Sequence, residues 1–173
     1  PIADAYVRDG SFANSNFGSD ATLVVKLSAS AGFKRESYLK FDLSSVAGGL
    51  QDATLQLQTL TASTPGTNAV ALVTNDAWAE NSISWTIKPD SGAPATTWIP
   101  QAGVPVVAPI TALAQSELAT DRLLSLRVYA TNSTSDGTVT YGSRESGVTA
   151  PVLVLTTTNG SLLTATQSFW GTV

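Results

Sequence analysis

Hydrophobic and polar residues alternate along this chain in short runs, each closed by turn-forming residues. Asp4-Ala5-Tyr6-Val7-Arg8 alternates and stops at Asp9-Gly10, and an Asn- and Gly-rich stretch follows to Asp20. A second strand is expected over Leu23 to Leu27, then a polar turn from Ser28 to Lys34. Glu36 to Leu43 predicts a third strand, with Leu39, Phe41 and Leu43 on one face and Tyr38, Lys40 and Asp42 on the other. Further strands are expected over Ala53 to Thr59, Val70 to Thr74, Leu123 to Ala130, Val139 to Ser143 and Val152 to Thr158. From Trp78 to Trp98 the Pro- and Gly-rich sequence predicts long loops, and Val104 to Ile110, with Pro105 and Pro109, an edge or irregular strand. Thr111 to Leu118 is the one helical stretch, a Thr cap followed by helix formers over about two turns.

About nine or ten strands with at most one short helix predict an all-β fold, an antiparallel β-sandwich of jelly-roll type. The absence of crossover helices excludes a parallel α/β fold. The expected core holds Leu39, Phe41, Leu55, Leu57, Leu126 and Val128. Residues 1–173 are expected to form one domain, with a C-terminal tail containing Phe169 and Trp170 to which no role is assigned.

Composition narrows the chemistry. At 173 residues and 43% hydrophobic, the chain can build a core without staples. It has no Cys, hence no disulfide or thiolate metal site, and no His, the commonest general base and transition-metal ligand. The net charge of −4 argues against nucleic acid, and no apolar run approaches the ~20 residues of a membrane helix. Only 13% of residues are charged, with Ser, Thr, Asn and Gly in their place, a balance that suits a secreted, extracellular module. The start at Pro1 and the lack of Met lead us to expect a piece of a longer precursor. Five of the nine basic residues, Arg8, Lys26, Lys34, Arg35 and Lys40, fall in the first forty positions.

Several segments resemble the disaggregatase-related domains named for the motif DNRLRE and the family 96 carbohydrate-binding modules. They are Ala3 to Gly10, Asn16-Phe17-Gly18 with Leu23 to Lys26, Arg35 to Ser44, Trp78 to Trp85 with Pro89, and Ser143-Arg144-Glu145. The resemblance runs in order to about Leu155, although the eponymous motif is not present as written. It implies a jelly roll joined covalently to a catalytic domain in a secreted polysaccharide-degrading enzyme, often a polysaccharide lyase. It further implies a non-catalytic module that binds an acidic (uronate) polysaccharide, with alginate the best-known case.

Alternation places Arg8, Lys26 and Lys40 opposite apolar neighbours, so three strands in one sheet would share a basic outer face. Arg35 stands at the mouth of the third strand, and Arg144 points away from Val139 and Tyr141. Arg can grip a carboxylate with two parallel hydrogen bonds, and Lys acts as a point charge. Tyr38 is a candidate for stacking on a sugar ring, with Tyr6 second. The expected carbohydrate-binding set is therefore Arg8, Lys26, Arg35, Tyr38, Lys40 and Arg144. The competing expectation is a structural spacer or cell-surface sandwich without a sugar ligand, whose cations sit in local pairs such as Lys40 with Asp42 or Arg144 with Glu145. Trp78 and Trp85, with Glu80, read as a loop pinned into the core rather than a ligand platform. No carboxylate pair stands out for catalysis. No cofactor is expected. A structural calcium ion stays open, with no residues assigned, because Asp residues here sit mostly at turns.

Overall fold

The structure, a computed structural model, describes residues 1–132 and 137–165. Phe169 and Trp170 therefore lie outside the described residues, as do Ser133 and Thr134 of the Asn132-Ser133-Thr134 sequon. Eleven strands are described: β1 (Ala3–Arg8), β2 (Thr22–Val25), β3 (Arg35–Asp42), β4 (Leu50–Ser63), β5 (Asn68–Val73), β6 (Pro94–Trp98), β7 (Pro105–Pro109), β8 (Leu123–Ala130), β9 (Thr138–Gly142), β10 (Val152–Thr157) and β11 (Leu162–Ala165). The helix α1 (Thr111–Leu118) joins them, with 3-10 turns at Gly10–Phe12 and Arg144–Thr149.

The strands form two antiparallel sheets. One runs β1-β3-β8-β5-β6 and the other β11-β10-β4-β9-β2, with β7 also paired to β4. The chain passes back and forth between the sheets, and period-two alternation sends one face of each strand inward. All six expected core residues are no more than 1% exposed and lie between the sheets. The all-β sandwich is as the alternation predicted.

Three local expectations are corrected. The segment read as loops up to Trp98 contains β6. Its Pro94 is tolerated because it is the first residue of a strand at a sheet edge. The tail contributes β11, which pairs with β10. Thr111 does not cap α1, because the N-cap position is Ile110. The Thr111 hydroxyl instead donates to Asp52 Oδ1 at 2.9 Å and accepts from the Ala53 amide at 3.0 Å, fastening the helix to β4.

A second, smaller core lies on the outer side of the first sheet. The segment after β5 folds over the outer face of the first sheet, so that Trp78 and Ile83 bury Ala5, Val7, Tyr38 and Val73. Both faces of β1 and β3 are therefore partly covered. That double coverage is why alternation alone misjudged which side chains reach water.

Candidate functional site

The nine basic side chains divide into two groups by what they touch. Arg127 and Lys88 pair with Glu36 at 2.5 and 2.8 Å, and Arg144 pairs with Glu80 at 2.5 Å and Glu145 at 3.1 Å. Lys40 Nζ donates to the Asp76 and Trp78 carbonyls at 2.7 and 2.6 Å, and Arg122 donates to the Val46 carbonyl at 3.1 Å. Among the described residues the other four, Arg8, Lys26, Lys34 and Arg35, make no ion pair, and Arg35 alone of them reaches a carbonyl, that of the nearby Phe33 at 3.5 Å.

Those four gather at one end of the sandwich. Arg8 and Arg35 are direct cross-strand partners of β1 and β3, so their side chains share a face. Just past β2, Lys26 and Arg35 exchange both backbone hydrogen bonds, at 3.0 and 2.9 Å. The backbone thus sets Lys26, Arg35 and Arg8 in one row across three chain segments, with Lys34 beside it. Burial and the neighbouring Arg8 guanidinium lower the pKa of Arg35. Like charges directly opposite each other destabilise a strand pair, so the Arg8–Arg35 pairing has a folding cost, offset in part by the nearby Asp9 carboxylate.

Aromatic rings frame the row. The Arg8 guanidinium lies 3.9 Å from the Phe12 ring centre, and Lys26 Nζ lies 5.6 Å from that of Phe33. Phe12 and Phe33 are 39% and 47% exposed. Tyr6 stacks on Phe17 at 4.4 Å beside them. Asp9 holds the two flanking loops together by accepting from the Gly32 and Lys34 amides. Gly10 and Gly32, both at positive φ, let the loop backbones touch, since a Cβ on Gly10 would lie 2.5 Å from Gly32 Cα.

The remaining sequence candidates leave the set. Lys40 is five positions from Arg35 and so lies on the opposite face of β3, and β2 lies in the other sheet, so no shared outer face exists. Lys40 is 8% exposed, sits 4.5 Å from the Trp78 ring centre and is held by carbonyls. Tyr38 is fully buried, its hydroxyl donating to the Pro89 carbonyl at 3.0 Å, and cannot stack on a sugar. Arg144 begins a 3-10 turn and is committed to carboxylates. Phe12, Phe33 and Lys34 were missed because loop residues carry no periodicity; only their proximity to Gly10 and Gly32 could have hinted at a shared surface.

The segments behind the family resemblance converge elsewhere, on Glu80. Glu80 accepts from the Asp4 amide at 2.9 Å and from Arg144, while Asp4 Oδ2 accepts from the Arg144 amide at 2.8 Å. Asn16 Nδ2 donates to the Glu80 and Ile83 carbonyls at 2.7 and 2.9 Å. Gly18 is required there, since a Cβ would sit 2.1 Å from the Glu80 carbonyl oxygen. Trp78 donates to Ser125 Oγ at 3.0 Å, as expected of a pinned loop. This network joins β1, the covering segment and the Arg144 turn.

Burial pushes the Asp4 carboxyl up to about 7, opposed by the Arg144 amide hydrogen bond and reinforced by Glu145. A carboxyl raised from 3.8 binds more protons folded than unfolded, so its contribution is present at low pH and lost as pH rises. Asp4→Asn is expected to make stability less dependent on pH between about 4 and 6, read from urea midpoints; an unchanged slope would exclude Asp4 as its source.

The model of carbohydrate-binding module family 96 matches residues 1–157. The chain belongs to that family. A family 96 module is non-catalytic and takes a polysaccharide as its ligand. No curated protein matches the chain.

Proposed function

We propose that this family 96 module binds an acidic polysaccharide, alginate above all, on the row formed by Lys26, Arg35 and Arg8. In this reading it is secreted and holds a covalently attached catalytic domain, such as a polysaccharide lyase, near its substrate. The observation that carries the proposal is the partition of the cations: among the described residues Arg8, Lys26, Lys34 and Arg35, which neither pair with a carboxylate nor are pinned to carbonyls of a distant segment as Lys40 and Arg122 are, stand together beside exposed phenylalanines. A uronate chain carries one carboxylate per sugar and supplies the missing anions. Arg35 and Arg8 suit bidentate grip, Lys26 and Lys34 add point charge, and Phe12 and Phe33 offer apolar faces to sugar C–H groups. The spacer alternative predicts cations neutralised locally, which holds for Arg127 and Arg144 and fails for this row. Tethering raises local substrate concentration, so moderate affinity suffices.

Affinity electrophoresis across alginate, pectin, chondroitin sulfate and a neutral glucan tests the proposal. Retardation is expected in the uronate gels and should fade as salt rises, since exposed charges are screened over about 8–10 Å near physiological ionic strength. Equal, salt-independent retardation by the neutral glucan would reject it.

A further inference from the structure

Two groups of three carboxylates lie close together among the described residues, and they differ in one respect. In the first, Glu80 and Glu145 pair with the Arg144 guanidinium, and Asp4 accepts from the Arg144 amide. Asp76, Glu117 and Asp121 each offer an oxygen within 4.8 Å of the others, yet no basic side chain forms an ion pair with any of them.

The second group is partly sealed. Glu117, near the end of α1, is 8% exposed. Its Oε2 accepts from the Thr120 hydroxyl at 3.0 Å. Asp76 Oδ1 is shut off from solvent and accepts no hydrogen bond. Asp121 Oδ1 accepts from the Leu123 amide at 3.0 Å, leaving Oδ2 free. Burying Asp76 Oδ1 without a partner is costly. The nearest ammonium, Lys40, is spent on the Asp76 and Trp78 carbonyls. Three carboxylates beside one ammonium leave two negative charges, which one divalent cation balances.

We propose that Asp76, Glu117 and Asp121 form a calcium site that clamps the turn after α1 to the segment leading into Trp78. An all-oxygen donor set calls for a hard cation, and the chain has no His or Cys to favour a softer one. Donors drawn from a helix end and two loops suit the variable coordination of calcium better than the strict octahedron of magnesium. The carbonyl of Arg122, beside this turn, accepts from the Leu43 amide at 2.8 Å, which places the site beyond the Asp42 end of β3. The Arg35 row is at the other end, roughly 20 Å away along the strand. The metal therefore acts on stability, separately from polysaccharide binding.

Calorimetric titration with calcium chloride after chelator treatment, with no polysaccharide present, tests this alongside thermal melting. Binding near one ion per chain is expected, with melting raised by roughly 5–10 °C at calcium about a hundredfold above Kd. Glu117→Gln and, independently, the more exposed Asp121→Asn should abolish the calcium-dependent rise while melting no lower than wild type without metal. No binding to wild type, a rise kept in either variant, or an equal rise with magnesium chloride would overturn the site.

Discussion

Truncating Phe41 to alanine is expected to destabilise the module by about 3–5 kcal/mol, the range for large aromatic side chains removed from a closed core. Phe41 is fully buried between the sheets. Its strand, β3, is hydrogen-bonded on both sides, to β1 and β8, with Phe41 directly opposite Leu124. A strand held on both edges cannot move in to fill the space, so the loss should include the cavity as well as the transfer of the ring. In a chain of this size that corresponds to a melting point lowered by roughly 6–20 °C. Phe41→Leu, which keeps most of the volume, should cost less than about 1.5 kcal/mol. Urea unfolding of the two variants checks both numbers. A loss under about 1 kcal/mol for Phe41→Ala would place the residue outside the core.

The core was legible because the inner faces of β3, β4 and β8 keep the simple period-two alternation. Leu55 and Leu57, then Leu126 and Val128, alternate as that rule demands and are buried. The rule fails where a sheet is covered twice. Ala5 and Val7 look like residues facing the main core, but they pack outward beneath Trp78 and Ile83. Tyr38 and Lys40 look like solvent-facing residues, and the same segment closes over them. The aromatics near residue 80 predicted a pinned loop, but no local pattern signals that it covers the outer face of β1 and β3, because the contact is long-range. The edge strand β6 escaped for a related reason, since its proline and threonines carry no alternation of apolar groups.

The candidate site was half legible. The excess of basic residues in the first forty positions was visible, and Arg8, Lys26 and Arg35 do come together. The mechanism that unites them is a strand register and a two-bond bridge, not the common outer face that alternation suggested. Arg144 illustrates the opposite error. A motif shared across a family can mark a structural joint, and here Asp4, Glu80 and Arg144 tie three segments together.

Replacing Arg35 or Arg8 is expected to separate binding from folding. Each is half-buried, faces the other across the strand pair, and has no ion-pair partner among the described residues. Removing one relieves like-charge repulsion, so the melting point should hold or rise slightly. Removing one also deletes a charged hydrogen-bonding group from the proposed polysaccharide surface, which should cost about 1–3 kcal/mol of binding, or roughly 5- to 150-fold in Kd. Arg35→Lys should recover little if the grip is bidentate and most of the affinity if charge alone matters. Arg127→Ala is the control, since that cation is committed to Glu36 on the opposite face. The most direct test is calorimetric titration of wild type, Arg8→Ala, Arg35→Ala and Arg127→Ala with alginate oligosaccharides, paired with their melting points. The predicted result is weakened binding at unchanged or higher stability for the first two variants alone. Wild-type affinity in both Arg8→Ala and Arg35→Ala would contradict the assignment of the polysaccharide to this row.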